Sequence, residues 1–367
     1  MVKFEFDLLK TSGRARLGKI KTAHGEINTP SFMPVGTCAS VKGMLPEQIL
    51  DTGSEIILGN TYHLMLRPTA ERIAKLGGLH KFMNWHKPIL TDSGGFQVMS
   101  LSGLRKITEE GVKFKSHIDG STHMLTSERS MEIQHLLGSD ITMIFDDCPE
   151  FPITEAKALK SMEMSLRWAE RSKKAYIERP GHALFAIVQG STFRNLREKS
   201  AKELIDIGFD GYAIGGLAVG EGHNLMVDTL EYTEPMLPKS KPRYLMGVGK
   251  PKDLIAAVRQ GIDMFDCVLP TRSGRNGQVF TWQGPKNLRN EKFKESSEPI
   301  DAKCGCYCCK NYKASYLNHL LKAKEINASV LLSIHNIHFY QDLMQTMREH
   351  IKAGTFEEFA DKAMQEL

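Results

Sequence analysis

Ala183-Leu184-Phe185-Ala186-Ile187-Val188 is an uninterrupted apolar run that ends on Gln189-Gly190. An amphipathic stretch over Phe193–Ile207 follows, then a second short run, Gly211–Ile214, ending on Gly215-Gly216. The order strand, helix, strand implies parallel pairing. Outward from this unit the same alternation recurs. Further strands are expected at Ser31–Val35, Glu55–Leu58, Pro88–Leu90, Asp140–Phe145, Arg243–Met246 and Ile262–Phe265. Further helices are expected at Thr154–Ile177, Asn224–Glu234 and Pro251–Gln260. Pro251 suits a first helical turn, where a missing N–H costs nothing. Glu198 and Lys202 make a favourable i,i+4 pair on the Phe193–Ile207 helix.

Eight strands, most followed by helices, fit a (β/α)8 barrel or an open doubly wound sheet. The polar residues favour the barrel. Asp92, Asp146, Gln189, Gly215-Gly216, Gly247 and Asp266 each stand at or just after the end of an apolar run. In a barrel those strand ends converge on one face, where active sites sit. In an open sheet they would spread along an edge. A barrel takes about 250 residues, so 367 residues leave room for insertions. Gly284–Ala302 is polar and reads as an exposed connection into a cysteine-rich module.

Hydrophobic residues at 41% and charged residues at 25% are ordinary for a globular protein. No apolar run approaches the roughly 18 residues of a membrane helix. The start, Met1 to Asp7, has no signal-peptide core. Cys38, Cys148 and Cys267 are too scattered for a disulfide framework, so a reducing cytoplasm is expected. Net charge is +5, with a local excess of bases: from Thr271 to Lys294 there are six basic residues against one acid, Glu291. Such a stretch suits a polyanion or is simply a solvated loop.

Cys304-Gly305-Cys306-Tyr307-Cys308-Cys309 holds four of the seven cysteines. Thiolates at this spacing can surround one ion, with His335, His338 or His319 as a further ligand; three sulfurs and an imidazole make a closed zinc site. Other constellations are individually ambiguous. Asp92-Ser93-Gly94-Gly95-Phe96-Gln97 reads as a carboxylate beside a close-approach loop or as a capped turn. Asp146-Asp147 could accept N–H bonds from a ligand or be solvated. Gly247-Val248-Gly249-Lys250-Pro251-Lys252-Asp253 is a possible phosphate cradle or a plain turn. Asp266 leads into the basic loop Thr271-Arg272-Ser273-Gly274-Arg275. Together they offer acids, amides and bases; two carboxylates around a sugar carbon are the usual apparatus of glycosidic exchange with retention.

These segments closely resemble the bacterial tRNA-guanine transglycosylases, or queuine tRNA-ribosyltransferases. The likeness is carried by Thr91–Met99, Phe145-Asp146, Val188–Gly190, Gly215–Glu221, Tyr244–Gly249, Phe265–Gly277 and Cys304/Cys306/Cys309 with His335. It implies one catalytic domain over residues 1–367, an irregular (β/α)8 TIM-type barrel with a zinc-binding subdomain inserted at 284–340. It implies replacement of guanine at the anticodon wobble position by 7-aminomethyl-7-deazaguanine in queuosine biosynthesis. Asp266 matches the nucleophile that forms a covalent ribose intermediate, and Asp92 the acid/base. Asp92, Ser93, Gly94, Gly95, Phe96, Asp146, Gln189, Gly216, Leu217 and Met246 match the substrate-binding positions. Gly247–Asp253 (with Val248, Gly249, Lys250, Pro251 and Lys252) and Thr271–Arg275 match the tRNA-contacting loops. Cys304, Cys306, Cys309 and His335 match the ligands of one structural Zn2+ per subunit; Cys308 is an additional thiol. The implied partners are guanine, the deazaguanine and tRNAs for Asp, Asn, His and Tyr with a U-G-U anticodon-loop sequence. A cytoplasmic homodimer and no membrane partner are also implied.

Overall fold

A computed structural model describes residues 2–101 and 105–367. Its strands are β1 Glu5–Ser12, β2 Ala15–Thr22, β3 Gly25–Thr29, β4 Ser31–Gly36, β5 Ile57–Gly59, β6 Ile89–Thr91, β7 Arg105–Ile107 and β8 Val112–Lys115. There follow β9 Thr122–Leu125, β10 Ile141–Met143, β11 Ala183–Val188, β12 Gly211–Ile214, β13 Arg243–Leu245, β14 Met264–Cys267, β15 Gln278–Thr281 and β16 Gly284–Asn287.

The eight strands expected from sequence close a parallel barrel in chain order, β4-β5-β6-β10-β11-β12-β13-β14. Closure is made by Met264 to Cys267 of β14 pairing with Ser31 to Pro34 of β4. β4 and β11 are buried along their whole length, because inner residues fill the barrel and outer ones meet helices. Phe185 fills so much of this interior that a Cβ on Gly211, its partner on β12, would lie 2.4 Å from the ring. Glycine is what that register allows.

The outer layer includes helices Glu155–Ala175, Arg194–Ile207, His223–Thr233 and Pro251–Arg259, each within two residues of its expected bounds. The expected Glu198–Lys202 pair is not the one formed; Arg194 reaches Glu198 at 2.9 Å instead. Glu198 has a base on either side, and the arginine's longer fork takes it.

Three antiparallel sheets lay outside the sequence expectation, the third being the β15-β16 pair. β1-β2-β3 lies across the amino ends of the barrel strands. Arg16 of β2 meets Asp263, just before β14, at 3.2 Å with both side chains buried. His24 in the β2–β3 turn bonds Asp140, just before β10, at 2.7 Å, and His80 bonds the other oxygen at 3.1 Å. β7-β8-β9 is inserted between β6 and β10.

After the barrel, β15 and β16 form a hairpin, followed by helices Tyr307–Asn311, Ala314–Ala323, Ile326–Ala353 and Phe356–Glu366. Gly284–Ala302 is therefore not the simple exposed connection its polarity suggests. It begins with a paired strand, and Leu288 and Ile300 are buried with Val279, Cys308 and Leu317 in a separate apolar cluster. Two apolar side chains suffice to anchor an otherwise polar segment, too few to register as a pattern. The 28-residue helix Ile326–Ala353 runs from this cluster into the barrel core, where Phe339, Tyr340, Leu343 and Met344 are buried.

Candidate active site and metal centre

At the carboxyl ends of the barrel strands lies a cavity of ≈ 330 Å3. Its walls include Asp92, Ser93, Phe96, Asp146, Gln189, Gly216, Leu217, Met246, Gly247, Asp266 and Arg272, all singled out by sequence. Parallel strands delivered by successive helices bring these ends together although the residues are remote in the chain.

Asp92 follows β6 and is clamped. Asn60 Nδ2 donates to it at 2.5 Å, the Thr61 N–H at 2.9 Å, the Gly94 N–H at 3.2 Å and Gln97 Nε2 at 3.1 Å. Burial pushes its carboxyl up and those donors pull it back, while the nearby Asp266 charge adds to the rise; the balance stands at about 7. Asp266, on β14, accepts the Tyr244 hydroxyl at 2.6 Å and the Gly247 N–H at 2.8 Å. Burial raises it too, and these two bonds oppose the rise.

Asp146 is pushed by burial to about 6, against bonds from Gln189 and Ser93. Gln189 Nε2 donates to it at 2.7 Å, and Gln189 Oε1 is buried without a partner. The adjacent Asp147 is not part of this cavity wall. The pair thus splits, one acid inward and one away. Phe96, half exposed, and Met246 offer apolar walls for a flat ligand.

Gly94 and Gly95 are buried beneath the cavity rather than lining it; a Cβ on Gly95 would lie 2.6 Å from the Asp146 carbonyl oxygen. In the two expected nucleic-acid loops, Lys250, Lys252 and Arg272 are exposed and Arg275 is half-buried. Val248, Gly249, Pro251, Thr271, Ser273 and Gly274 are buried, and Asp253 is bonded to His223 at 2.6 Å.

Sequence reasoning missed three of the supporting residues, Asn60, Thr61 and Arg197. Asn60 and Thr61 follow β5 as Asp92 follows β6, so the strand-end rule applied once more would have found Asn60. Arg197 gave a fainter signal, a charge on the apolar face of its helix. It is fully buried and donates to the Val188 and Ser191 carbonyls at 2.8 and 2.7 Å, fixing the turn that carries Gln189.

Behind β15 the side chains of Cys304, Cys306, Cys309 and His335 converge, their ligand atoms all within 4.8 Å of one another. The three sulfurs lie 3.7, 3.6 and 3.4 Å from His335 Nδ1. Tetrahedral zinc with its usual bond lengths has ligand-to-ligand edges of roughly 3.5–3.8 Å, so the set fits. His335 Nε2 donates to the Phe280 carbonyl at 2.9 Å, which leaves the Nδ1 lone pair for a metal. Cys308, His338 and His319 are not in the group.

A family model described as Queuine tRNA-ribosyltransferase matches residues 10–367. The chain belongs to that family. A relative with this name from Ruegeria pomeroyi is 61% identical over 355 residues, covering 97% of this chain and 94% of its own length. One from Rickettsia bellii is 60% identical, covering 96% and 98%. One from Zymomonas mobilis is 59% identical, covering 98% and 94%. The resemblance and the barrel expected from sequence are borne out, and the Cys3His group of the family motif can hold a metal ion. Among the described residues, no helix is long and apolar enough to cross a membrane.

Proposed function

We propose that this enzyme exchanges guanine at the wobble position of tRNA for 7-aminomethyl-7-deazaguanine, by double displacement through a covalent ribose intermediate. One observation carries the proposal: Asp92, buried, and Asp266, half-buried, share one cavity with the paired groups Asp146 and Gln189. The name common to the relatives supports a tRNA substrate and a guanine-like base.

The Asp266 carboxylate attacks C1′ of the target nucleotide. An acylal-type C1′–O bond forms as the N9–C1′ bond breaks. Asp92, at about 7, is partly protonated at neutral pH and gives its proton to the departing guanine. General acid help of this kind is worth about 10² to 10⁴ in rate. In the second half, Asp92 takes the N9 proton of the incoming base as that nitrogen attacks C1′ and frees Asp266. Ionised Asp146 accepts from the N–H edge of the base. The unpartnered Gln189 Oε1 is a further acceptor, and Phe96 and Met246 cover the ring faces. Ser93, Gly216 and Leu217 complete the base site.

Extracting a base from its stack costs a few kcal/mol, which favours an anticodon loop over a duplex. Arg272 on the rim, with Lys250 and Lys252, would take phosphates, and binding would weaken with salt. Residues 1–367 act as one catalytic domain, and 284–340 as its zinc-binding part, with Cys304, Cys306, Cys309 and His335 filling all four positions of one structural Zn2+. The substrates are tRNAs for Asp, Asn, His and Tyr. The setting is a cytoplasmic homodimer.

Purified protein with unmodified tRNA and each labelled base tests this. The aminomethyl base should be incorporated, and an alkali-sensitive protein–RNA adduct should vanish in Asp266→Ala. Preference for queuine would overturn the base assignment; exchange by Asp266→Ala at the wild-type rate would overturn the nucleophile.

A further inference from the structure

The long helix Ile326–Ala353 carries the metal-group histidine and, next to it, Asn336, which is not part of the cavity wall. Asn336 is fully buried, and both ends of its amide are engaged. Nδ2 donates to the Pro270 carbonyl at 2.9 Å and to the Gln278 carbonyl at 3.0 Å. Oδ1 accepts the Phe280 N–H at 3.1 Å. The Phe280 carbonyl, in turn, accepts from His335 Nε2 at 2.9 Å. Consecutive residues of one helix thus grip the two sides of a single peptide-chain residue, one hand belonging to the metal group.

Pro270 lies in the short helix Leu269–Arg275, which follows the Asp266 strand and bears the exposed Arg272. The two helices meet backbone to backbone. A Cβ added to Gly274 would stand 2.9 Å from the Ser333 nitrogen and 3.1 Å from the Leu332 carbonyl oxygen. About two turns beyond Ser333 on the long helix, the Tyr340 hydroxyl donates to the Gly249 carbonyl in the other expected RNA loop. The helix therefore sets the position of both loops, and Asn336 is its polar lock on the first.

We propose that Asn336 is a positioning residue that ties the Cys3His metal group to the RNA-facing helix Leu269–Arg275, so that RNA affinity, and not base affinity, depends on it. A bound metal fixes the His335 ring; that ring fixes Phe280; Phe280 and Asn336 together fix Pro270 and the angle at which Arg272 is presented. This rests on the reading that the group holds zinc and that Arg272 meets RNA.

Asn336→Asp keeps the acceptor for Phe280 and loses the donor to Pro270 and Gln278; Asn336→Ser shortens both. Each holoprotein is assayed for zinc content, thermal unfolding, affinity for an anticodon stem–loop RNA, and affinity for guanine. Both variants should retain about one zinc and a cooperative transition, bind RNA about 10- to 100-fold more weakly, as loss of the two bonds to Pro270 and Gln278 predicts, and bind guanine within about twofold of wild type. Partial zinc removal by a chelator should weaken RNA binding in wild type and add little in Asn336→Asp, since both act on one relay. Wild-type RNA affinity in the variants, or chelation losses that simply multiply with the substitution, would overturn the proposal. Arg272→Ala separates the two readings: if it binds RNA normally, the assignment of that helix to RNA is what fails. A preparation without zinc would overturn the metal half at once.

Discussion

Replacing Gln189 with methionine isolates one contact at the heart of the base site. Methionine has similar length and no polar group. The substitution removes the Nε2 donor held 2.7 Å from the Asp146 carboxylate. Asp146 is only 6% exposed, so little water is at hand to replace the bond. A hydrogen bond to a charged group is worth about 1.5–3 kcal/mol net. At 1.36 kcal/mol for each tenfold change in protonation, the Asp146 titration would move from about 6 to roughly 7–8. In wild type the carboxylate is mostly ionised at neutral pH and accepts from the base; in the variant it is mostly protonated and cannot. Guanine affinity in wild type should therefore fall as pH drops through about 6. In Gln189→Met the same fall should begin above neutrality, and affinity at pH 7 should be about 2- to 10-fold weaker, in proportion to the ionised fraction lost. Calorimetric titration of guanine from acid to mildly alkaline pH reads both. A variant that loses affinity by the same factor at every pH would refute the reasoning, because the loss would then lie in shape or in Oε1 and not in the ionisation of Asp146.

Asp92→Asn keeps the clamp's shape and removes the transferable proton; kcat should fall by about 10²- to 10⁴-fold, with a smaller change in guanine affinity, read by single-turnover exchange. Gly211→Val drives two branches into the Phe185 ring, so chemical denaturation should show about 1–3 kcal/mol of destabilisation. At the base of the barrel, burial would raise Asp140, but bonds from His24 and His80 outweigh it and hold the carboxyl at about 2. A depressed carboxylate stabilises above its unfolded value near 3.9 and loses that contribution as pH falls toward the folded one. The stability gap between wild type and Asp140→Asn should hence narrow by about 2 kcal/mol between pH 4 and 2, in urea titrations at each pH.

Much of the fold was legible because a parallel barrel repeats one local instruction. Each strand is an apolar run and each amphipathic stretch a crossover, so the eight strands could be marked with boundary errors of a residue or two. The β1-β2-β3 sheet was not legible in this way. Its strands mix lysines with apolar residues on a half-exposed surface, and its attachment depends on Arg16 and His24 finding Asp263 and Asp140, partners more than a hundred residues away. The same distinction separates the two carboxylates from their supports. Asp92 and Asp266 stood out as acids closing apolar runs, whereas Asn60, Tyr244 and Arg197 are defined by whom they touch.

The sequence by itself determined the strand–helix alternation, the family motifs and the cysteine spacing, since these depend on neighbours along the chain. Only the tertiary structure decided what Asp92 leans on, how far its carboxyl rises and which amide oxygen beside Asp146 is left without a partner. Those outcomes follow from burial. Whether a carboxyl near 7 or a stranded amide oxygen exists at all is set by how much water the rest of the chain removes from around it, and no local run of residues encodes that.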